Sequence, residues 1–378
     1  MFQFYIILLD RIDFYYFDDG FWLYMNFFLR LMLVCSALGV LCCFGLYYFV
    51  QQEIKAIDEL RTEDTVLYEV KSGDSISDVE QGLFKVKRND FQNYVFRYWI
   101  RQHNNLKDIK VGTYEIPANS SLVDVLNILV EGREKGFFVT LVEGGRFKDF
   151  LAIVVKNKNF NHVLHKDITV EQLNNLLGVN EKSFEGLLMP DTYNVRYGAN
   201  DSELIKRAYE RQKDFLAKEY EKRAGDLPYK NSYEALIMAS IIEKETSLES
   251  ERKDIASVFV NRLKKGMKLQ TDPTVIYGVG EKYKGKVYKS FLKDNNPYNT
   301  YIIDGLPPTP IAMPSKDSII AALHPNETEF LYFVAKGPNP QEGHVFTKNL
   351  KQHEKAVAEY RKKVRDFKKA QKLKLPKN

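Results

Sequence analysis

The chain of 378 residues is longer than one hydrophobic core usually organises, so more than one domain is expected. With 44% hydrophobic and 28% charged residues, its composition is that of a folded globular protein and excludes wholesale disorder. The net charge of +5 is unevenly held: residues 1–50 carry −2 and residues 351–378 carry +8, leaving 51–350 near −1. Basicity is therefore a property of the tail, which excludes a nucleic-acid-binding face.

The leader "MFQFYIILLDRIDFYYFDDGFWLY" is aromatic and acidic, and no function is assigned to it. Residues 1–30 read as a cytoplasmic leader; Met25, which opens "MNFFLR" before an apolar run, is the simpler start, so that 1–24 would be a start-site artefact. The run from Leu31 to Val50 is 20 uncharged residues long, enough at ~1.5 Å per residue to cross a hydrocarbon core of ~30 Å. Arg30 before it and Tyr47, Tyr48 and Phe49 at its exit suit an inside-to-outside signal anchor. A cleaved signal peptide is disfavoured by the length of the run and by its lack of a small-residue cleavage pattern. All three cysteines, Cys35, Cys42 and Cys43, fall inside this run, so no disulfide framework or cysteine metal site remains downstream.

Residues 51–65, "QQEIKAIDELRTEDT", are polar and helix-prone and suit a short stalk. Residues 66–135 then repeat one pattern. "VLYEVKSGDSISDVEQGL" reads as strand, turn and a helix capped near Asp74 or Ser75; "KVGTYEIPANSSLVDVLNILVEG" does the same, with Ser120 or Ser121 as the cap. Strand-turn-helix occurring twice resembles a LysM-like module, a fold associated with glycan binding. The fold class expected for the whole chain is α+β: a transmembrane helix, this small module and a larger mixed α+β domain over residues 136–360, followed by a basic tail at 361–378.

In the larger domain "GFFVTLVEGGRFKDFLAIV" reads as strand, turn and helix, and "SFEGLLMPDTYNV" places Pro190, Asp191 and Thr192 in a turn beside Tyr193. A helix follows, capped by Asn231 with Glu234 three residues on, and apolar on nearly every side through "ALIMASII". Glu243 ends that apolar run. An apolar setting disfavours the ionised carboxylate and suits a proton donor, while the competing reading is a surface acid paired with Lys244 or Arg252. Glu245 lies about 200° further round a helix, so the two acids do not face one site. Downstream loops rich in Gln, Asn, Thr, Tyr and Pro have the chemistry of carbohydrate clefts, in which aromatic faces stack on sugars and amides or hydroxyls bond them.

No "HExxH" is present, the six histidines form no tight ligand cluster, and there is no Gly-x-Ser-x-Gly elbow. No cofactor is expected. The succession "EGLLMPDTY", "ASIIEKET", "VFVNRL…GMKLQTDPTVIYG", "YNTY…GLPPTPI" and "YFVAKG…GHVFT" resembles the endolytic murein transglycosylases of the YceG-like family over residues 66 to 360. The resemblance implies that Glu243 is the catalytic acid and base. It implies cleavage of the β-1,4 bond between N-acetylmuramic acid and N-acetylglucosamine within nascent peptidoglycan strands, leaving 1,6-anhydro ends and so ending strand elongation. Gln270, Thr271, Asp272 and Tyr277, with Tyr298, Asn299 and Thr300 and with Asp191 and Tyr193, would then bind substrate, Asp272 being the one expected to serve as an Asp-Pro turn instead. A place in the inner membrane with the catalytic domain outside, and partnership with membrane-bound peptidoglycan polymerases (penicillin-binding proteins), also follow from it. The alternatives are a membrane-anchored, glycan-binding scaffold without activity and a water-using muramidase on the same site.

Overall fold

The computed structural model describes residues 19–374, and side chains from residue 24 to residue 370. Most of the aromatic leader therefore lies outside the described residues. The chain divides into two compact units, Met1–Lys135 and Gly136–Asn378.

The first unit begins with helix α1 (Asp19–Asp58), 40 residues in one piece. Among the described residues, its Tyr24–Asp58 portion is the one helix long and apolar enough to cross a membrane, and its apolar side chains from Phe27 to Phe49 are exposed. The stretch expected as a stalk is not free-standing over residues 51–58: it continues α1 and docks. Ile57 is buried, Trp99 Nε1 donates to Asp58 Oδ1 at 2.9 Å, and Gln92 Nε2 donates to Glu53.

Beyond α1 come strand β1 (Val66–Val70), helices α2 (Ile76–Phe84) and α3 (Asp90–Gln102), strand β2 (Gly112–Ile116) and helix α4 (Leu122–Glu131). The strands pair antiparallel from Val66↔Ile116 to Val70↔Gly112. Ser75 and Ser121 are the helix caps, each completing a capping box with an aspartate three residues on, Asp78 and Asp124. Helix α3 was not foreseen in the sequence. It contributes Phe96 and Trp99 to the core that also holds Tyr114, Ile116 and Leu126.

An ion pair is buried beside that core. Glu80 is fully enclosed, Arg88 Nε donates to its Oε2 at 3.0 Å, and the guanidinium lies 4.3 Å from the centroid of Phe96. Removing one partner strands the other charge away from water, which typically costs about 3–5 kcal/mol, whereas replacing both by apolar groups is often neutral. Arg88→Met should therefore lower the stability of this unit by about 3–5 kcal/mol, and Glu80→Leu/Arg88→Met should recover most of the loss. Urea unfolding of the detergent-solubilised chain, followed through Trp99 fluorescence, reads both.

The second unit opens with strand β3 (Gly136–Leu141), helices α5 (Phe147–Lys156) and α6 (Val170–Leu177) and strand β4 (Asp191–Arg196), which pairs antiparallel with β3 from Gly136↔Arg196 to Leu141↔Asp191. Asp191 and Thr192 thus open a strand and do not form a turn, because β3 offers a complete partner edge to that point. The first core of the unit lies beneath this pair, around Phe150, Leu173, Leu188 and Tyr209.

Then follow α7 (Asp201–Glu221), α8 (Ser232–Glu245), α9 (Arg252–Lys264), α10 (Asp272–Val279), α11 (Lys316–Leu323), the antiparallel hairpin of β5 (Tyr332–Ala335) and β6 (His344–Thr347), and α12 (Leu350–Lys374). Helix α8 is the hub of the second core. Asn231 Oδ1 accepts from Glu234 N at 3.0 Å to start it, and Ala235 through Ile242 are all buried. A helix enclosed on every side is a fixed axis, and Glu243 stands where it leaves the core.

Candidate active site

Three separate segments converge on Glu243. Its Oε2 accepts from Ser315 N at 2.9 Å, Ser315 Oγ at 2.5 Å and Ser318 Oγ at 2.7 Å. Ser315 is the cap of α11, its Oγ also receiving Ser318 N, so the carboxyl sits at the positive end of that helix. Arg252, at the start of α9, brings its guanidinium to 3.9 Å from Oε1 and to 3.4 Å from Asp317. The Glu243 side chain is only 6% exposed.

The third segment is the Glu143–Arg146 loop. Gly144 adopts φ +72° next to the Glu243 side chain, a conformation glycine takes without steric cost. Lys244 Nζ donates to its carbonyl at 3.0 Å. Gly144 N donates to Met313 O and Met313 N to Gly145 O, each at 2.8 Å, which stitches this loop to the segment leading into α11.

The setting of Glu243 is therefore polar and cationic, not apolar as expected from the sequence. The apolar run before it packs inward along α8; the side chain itself leaves that core and meets a helix terminus that sequence spacing does not reveal.

Glu245 engages a different element. It accepts from Thr271 Oγ1 at the start of α10, and burial pushes its carboxyl up to about 7 against the opposing effect of that hydrogen bond, with nearby Asp272 adding to the rise.

The residues expected to hold substrate separate into three groups. Thr271, Asn299 and Thr300 are buried and their polar atoms are committed internally. Thr300 Oγ1 accepts from Thr271 N at 3.1 Å and pairs with Thr274 Oγ1 at 2.8 Å, while Asn299 Nδ2 donates to Asp294 O at 2.8 Å and Phe291 O at 3.1 Å. Their place is to hold the two loops together. Tyr193 is likewise buried, its hydroxyl donating to Met189 O at 2.7 Å.

Three others sit at edges. Gln270 is exposed, at φ +53°, with its N–H donating to Thr300 O. Asp272 is the first residue of α10, followed by Pro273, and accepts from Tyr301 OH at 2.7 Å. Asp191 pairs with Arg211 at 2.8 Å and lies 3.9 Å from Lys316 in the first turn of α11, two residues from Ser318.

Tyr277 and Tyr298 form the third group. Their rings lie 4.8 Å apart and line a cavity of about 530 Å³ together with Glu185. Glu185 was missed, although it is the first residue of the "EGLLMPDTY" stretch. Its Oε1 accepts from Phe147 N at 2.9 Å and its Oε2 from Tyr277 OH at 3.1 Å. Burial pushes this carboxyl up to about 7 too, against those hydrogen bonds and the nearby Arg146.

Two carboxyls that hold their protons more firmly folded than unfolded stabilise the unit in acid. That stabilisation is complete below the ordinary glutamate range near 4.5 and is lost as pH rises through about 7. The stability of the second unit should fall across this window by on the order of 3 kcal/mol per group, and Glu245→Gln should flatten its share. Chemical denaturation at a series of pH values measures the slope.

Residues 68–359 match the sequence model of the YceG-like family. The chain is 33% identical over 323 residues to the endolytic murein transglycosylase of Bacillus subtilis (strain 168), covering 80% of this chain and 86% of that protein. It is 27% identical over 370 residues to the endolytic murein transglycosylase of Streptococcus pneumoniae serotype 2, covering 88% of this chain and 64% of that one. A crystal structure of a YceG-like protein from Listeria monocytogenes is 30% identical, covers 78% of this chain and 99% of its own, and superposes with a TM-score of 0.49.

Proposed function

The chain belongs to the YceG-like family, and we propose that it cuts peptidoglycan glycan strands internally as a lytic transglycosylase, with Glu243 as its single acid and base. The bond cut is the β-1,4 link between N-acetylmuramic acid and N-acetylglucosamine, and the product carries a 1,6-anhydro end. The observation that carries this reading is the tethering of one oxygen of Glu243 by three donors of the α11 terminus. With Oε2 held as an acceptor, Oε1 is the atom that gives and takes a proton.

The steps balance on one residue. Protonated Oε1 donates to the glycosidic oxygen as the bond from that oxygen to the sugar C1 breaks; the C6 hydroxyl oxygen of the same sugar then bonds to C1, and its proton returns to Oε1. Glycosidases that use water or a covalent intermediate need a second carboxylate beside the first. Glu245 is held by Thr271 at the start of α10, so it is not that partner. An intramolecular nucleophile makes one unnecessary, because its effective concentration is large. The Arg252 guanidinium stands 3.9 Å from Oε1, on the side of the carboxyl where the proton is exchanged.

The remaining parts of the reading rest on family and sequence. The first unit is a LysM-like glycan-binding module, supported by its antiparallel strand pair with capped helices. The protein sits in the inner (cytoplasmic) membrane through α1, with the catalytic unit on the outer side. There it ends the elongation of strands made by membrane-bound polymerases of the penicillin-binding type.

Glu243→Gln keeps the shape of the side chain and removes the titratable proton, so release of anhydro-ended fragments from purified wall glycan should fall by about 10²–10⁴-fold. Mass spectrometry of the products decides among the alternatives. Ends heavier by one water identify a muramidase, and a wild-type protein that binds glycan but releases nothing identifies a scaffold.

A further inference from the structure

We propose that the cavity around Glu185 is a subsite for one N-acetylated aminosugar residue of the glycan, with Glu185 donating a hydrogen bond to the acetamido carbonyl. The inference rests on the reading of the protein as a glycan-cleaving enzyme and adds a second place of contact to it.

The cavity has the two-sided character such a ligand needs. Val170, Phe147 and Phe184 supply an apolar wall, which suits the acetamido methyl group. Glu185, Asn296 and Tyr298 supply the polar and aromatic side, which suits the amide, the hydroxyls and the face of the sugar ring. At about 530 Å³ it falls within the range of small-molecule sites.

Glu185 is built into this wall to address a ligand. Each of its oxygens already accepts one hydrogen bond, from Phe147 N and from Tyr277 OH, which fixes the carboxyl in place at the cavity wall. Tyr277 is not the stacking surface, because its ring is covered by Arg146, whose guanidinium lies 4.8 Å from the centroid, and flanked by Tyr298. Its hydroxyl and ring position Glu185 and Tyr298 instead. The floor is close-fitting as well: Asn296 Nδ2 donates to Gly278 O at 3.1 Å, and a Cβ on Gly278 would come within 2.6 Å of Asn296 Oδ1.

The Glu143–Arg146 loop ties this cavity to the candidate acid, since Gly144 borders Glu243 while Arg146, two residues on, covers Tyr277. A strand held at Glu185 is thereby registered against Glu243.

The charged and titratable groups around Glu185 are Arg146, Lys148, Asp149, Tyr233, Tyr277 and Tyr298. Because burial holds Glu185 protonated up to about 7, sugar binding should be strongest in mild acid.

The test uses the full chain in detergent, carrying Glu243→Gln to block turnover, with β-1,4-linked tetra-N-acetylglucosamine as the probe in calorimetric titration. Added Val170→Trp, a change at an exposed position on the cavity wall, should weaken binding by about tenfold or more. Between pH 5.5 and pH 8.5 the affinity of the parent should fall by about fivefold as Glu185 ionises, and added Glu185→Gln should remove that dependence. Unchanged affinity in the Val170→Trp protein overturns the subsite, and an unchanged pH profile in the Glu185→Gln protein overturns the donor role of Glu185. Both readouts are binding, so they stand apart from any failure of the wild type to release anhydro ends.

Discussion

The second unit depends on one contact: the clasp between the carboxyl group at the C-terminal end of α8 and the N-terminal cap of α11. Ser315 contributes both its N–H and its hydroxyl, and Ser318 adds a second hydroxyl, all to the same oxygen of Glu243. A helix N-terminus has unsatisfied donors and a positive dipole end, and a carboxylate answers both. The clasp is reciprocal, since Glu243 completes the cap that Ser315 begins. It also fixes direction, because an oxygen held by three donors leaves its twin on the Arg252 side.

Burial elsewhere makes that contact reproducible. Helix α8 is enclosed over eight consecutive residues, Ala235 to Ile242, so Glu243 cannot rotate or slide without disturbing the second core. The Glu143–Arg146 loop closes the other side through paired backbone bonds to Met313. Elsewhere in the unit, Thr271, Asn299 and Thr300 spend their polar groups on Glu245, on Thr274, on each other and on the backbone. They make a rigid scaffold, and the groups left to meet a ligand are those at the rims and in the Glu185 cavity.

The first unit follows the same logic with a different emphasis. Its strands and capped helices close around Trp99 and Tyr114, and the end of α1 is part of that core through Ile57. The apolar helix and the small module are consequently one body, with Trp99 Nε1 bonded to Asp58 across the junction. A polar, helix-prone segment is read as a linker when its periodic apolar positions are few; here Ile54 and Ile57, one turn apart, were enough to dock it.

Much of this was legible from local chemistry. The apolar run of α1, the cap at Asn231 and, to within a residue, those at Ser75 and Ser121, the strand-helix repeat and the all-round apolar α8 each depend on neighbours within a few residues, which is where sequence patterns carry information. The motif string marked Glu243 for attention. Its surroundings were illegible, because Ser315 and Ser318 lie more than seventy positions away and reach it only after α8 and α11 pack. The same distance hid Glu185, whose partner Tyr277 is ninety-two residues off, and it reversed the expected part of Thr300, whose polar groups look ligand-binding in a loop and turn out to be enclosed. Local order follows from adjacent side chains and the backbone; which acid is clasped, which is buried and which hydroxyls remain free follows from long-range packing, since desolvation and hydrogen bonding act between groups that only the folded chain brings together.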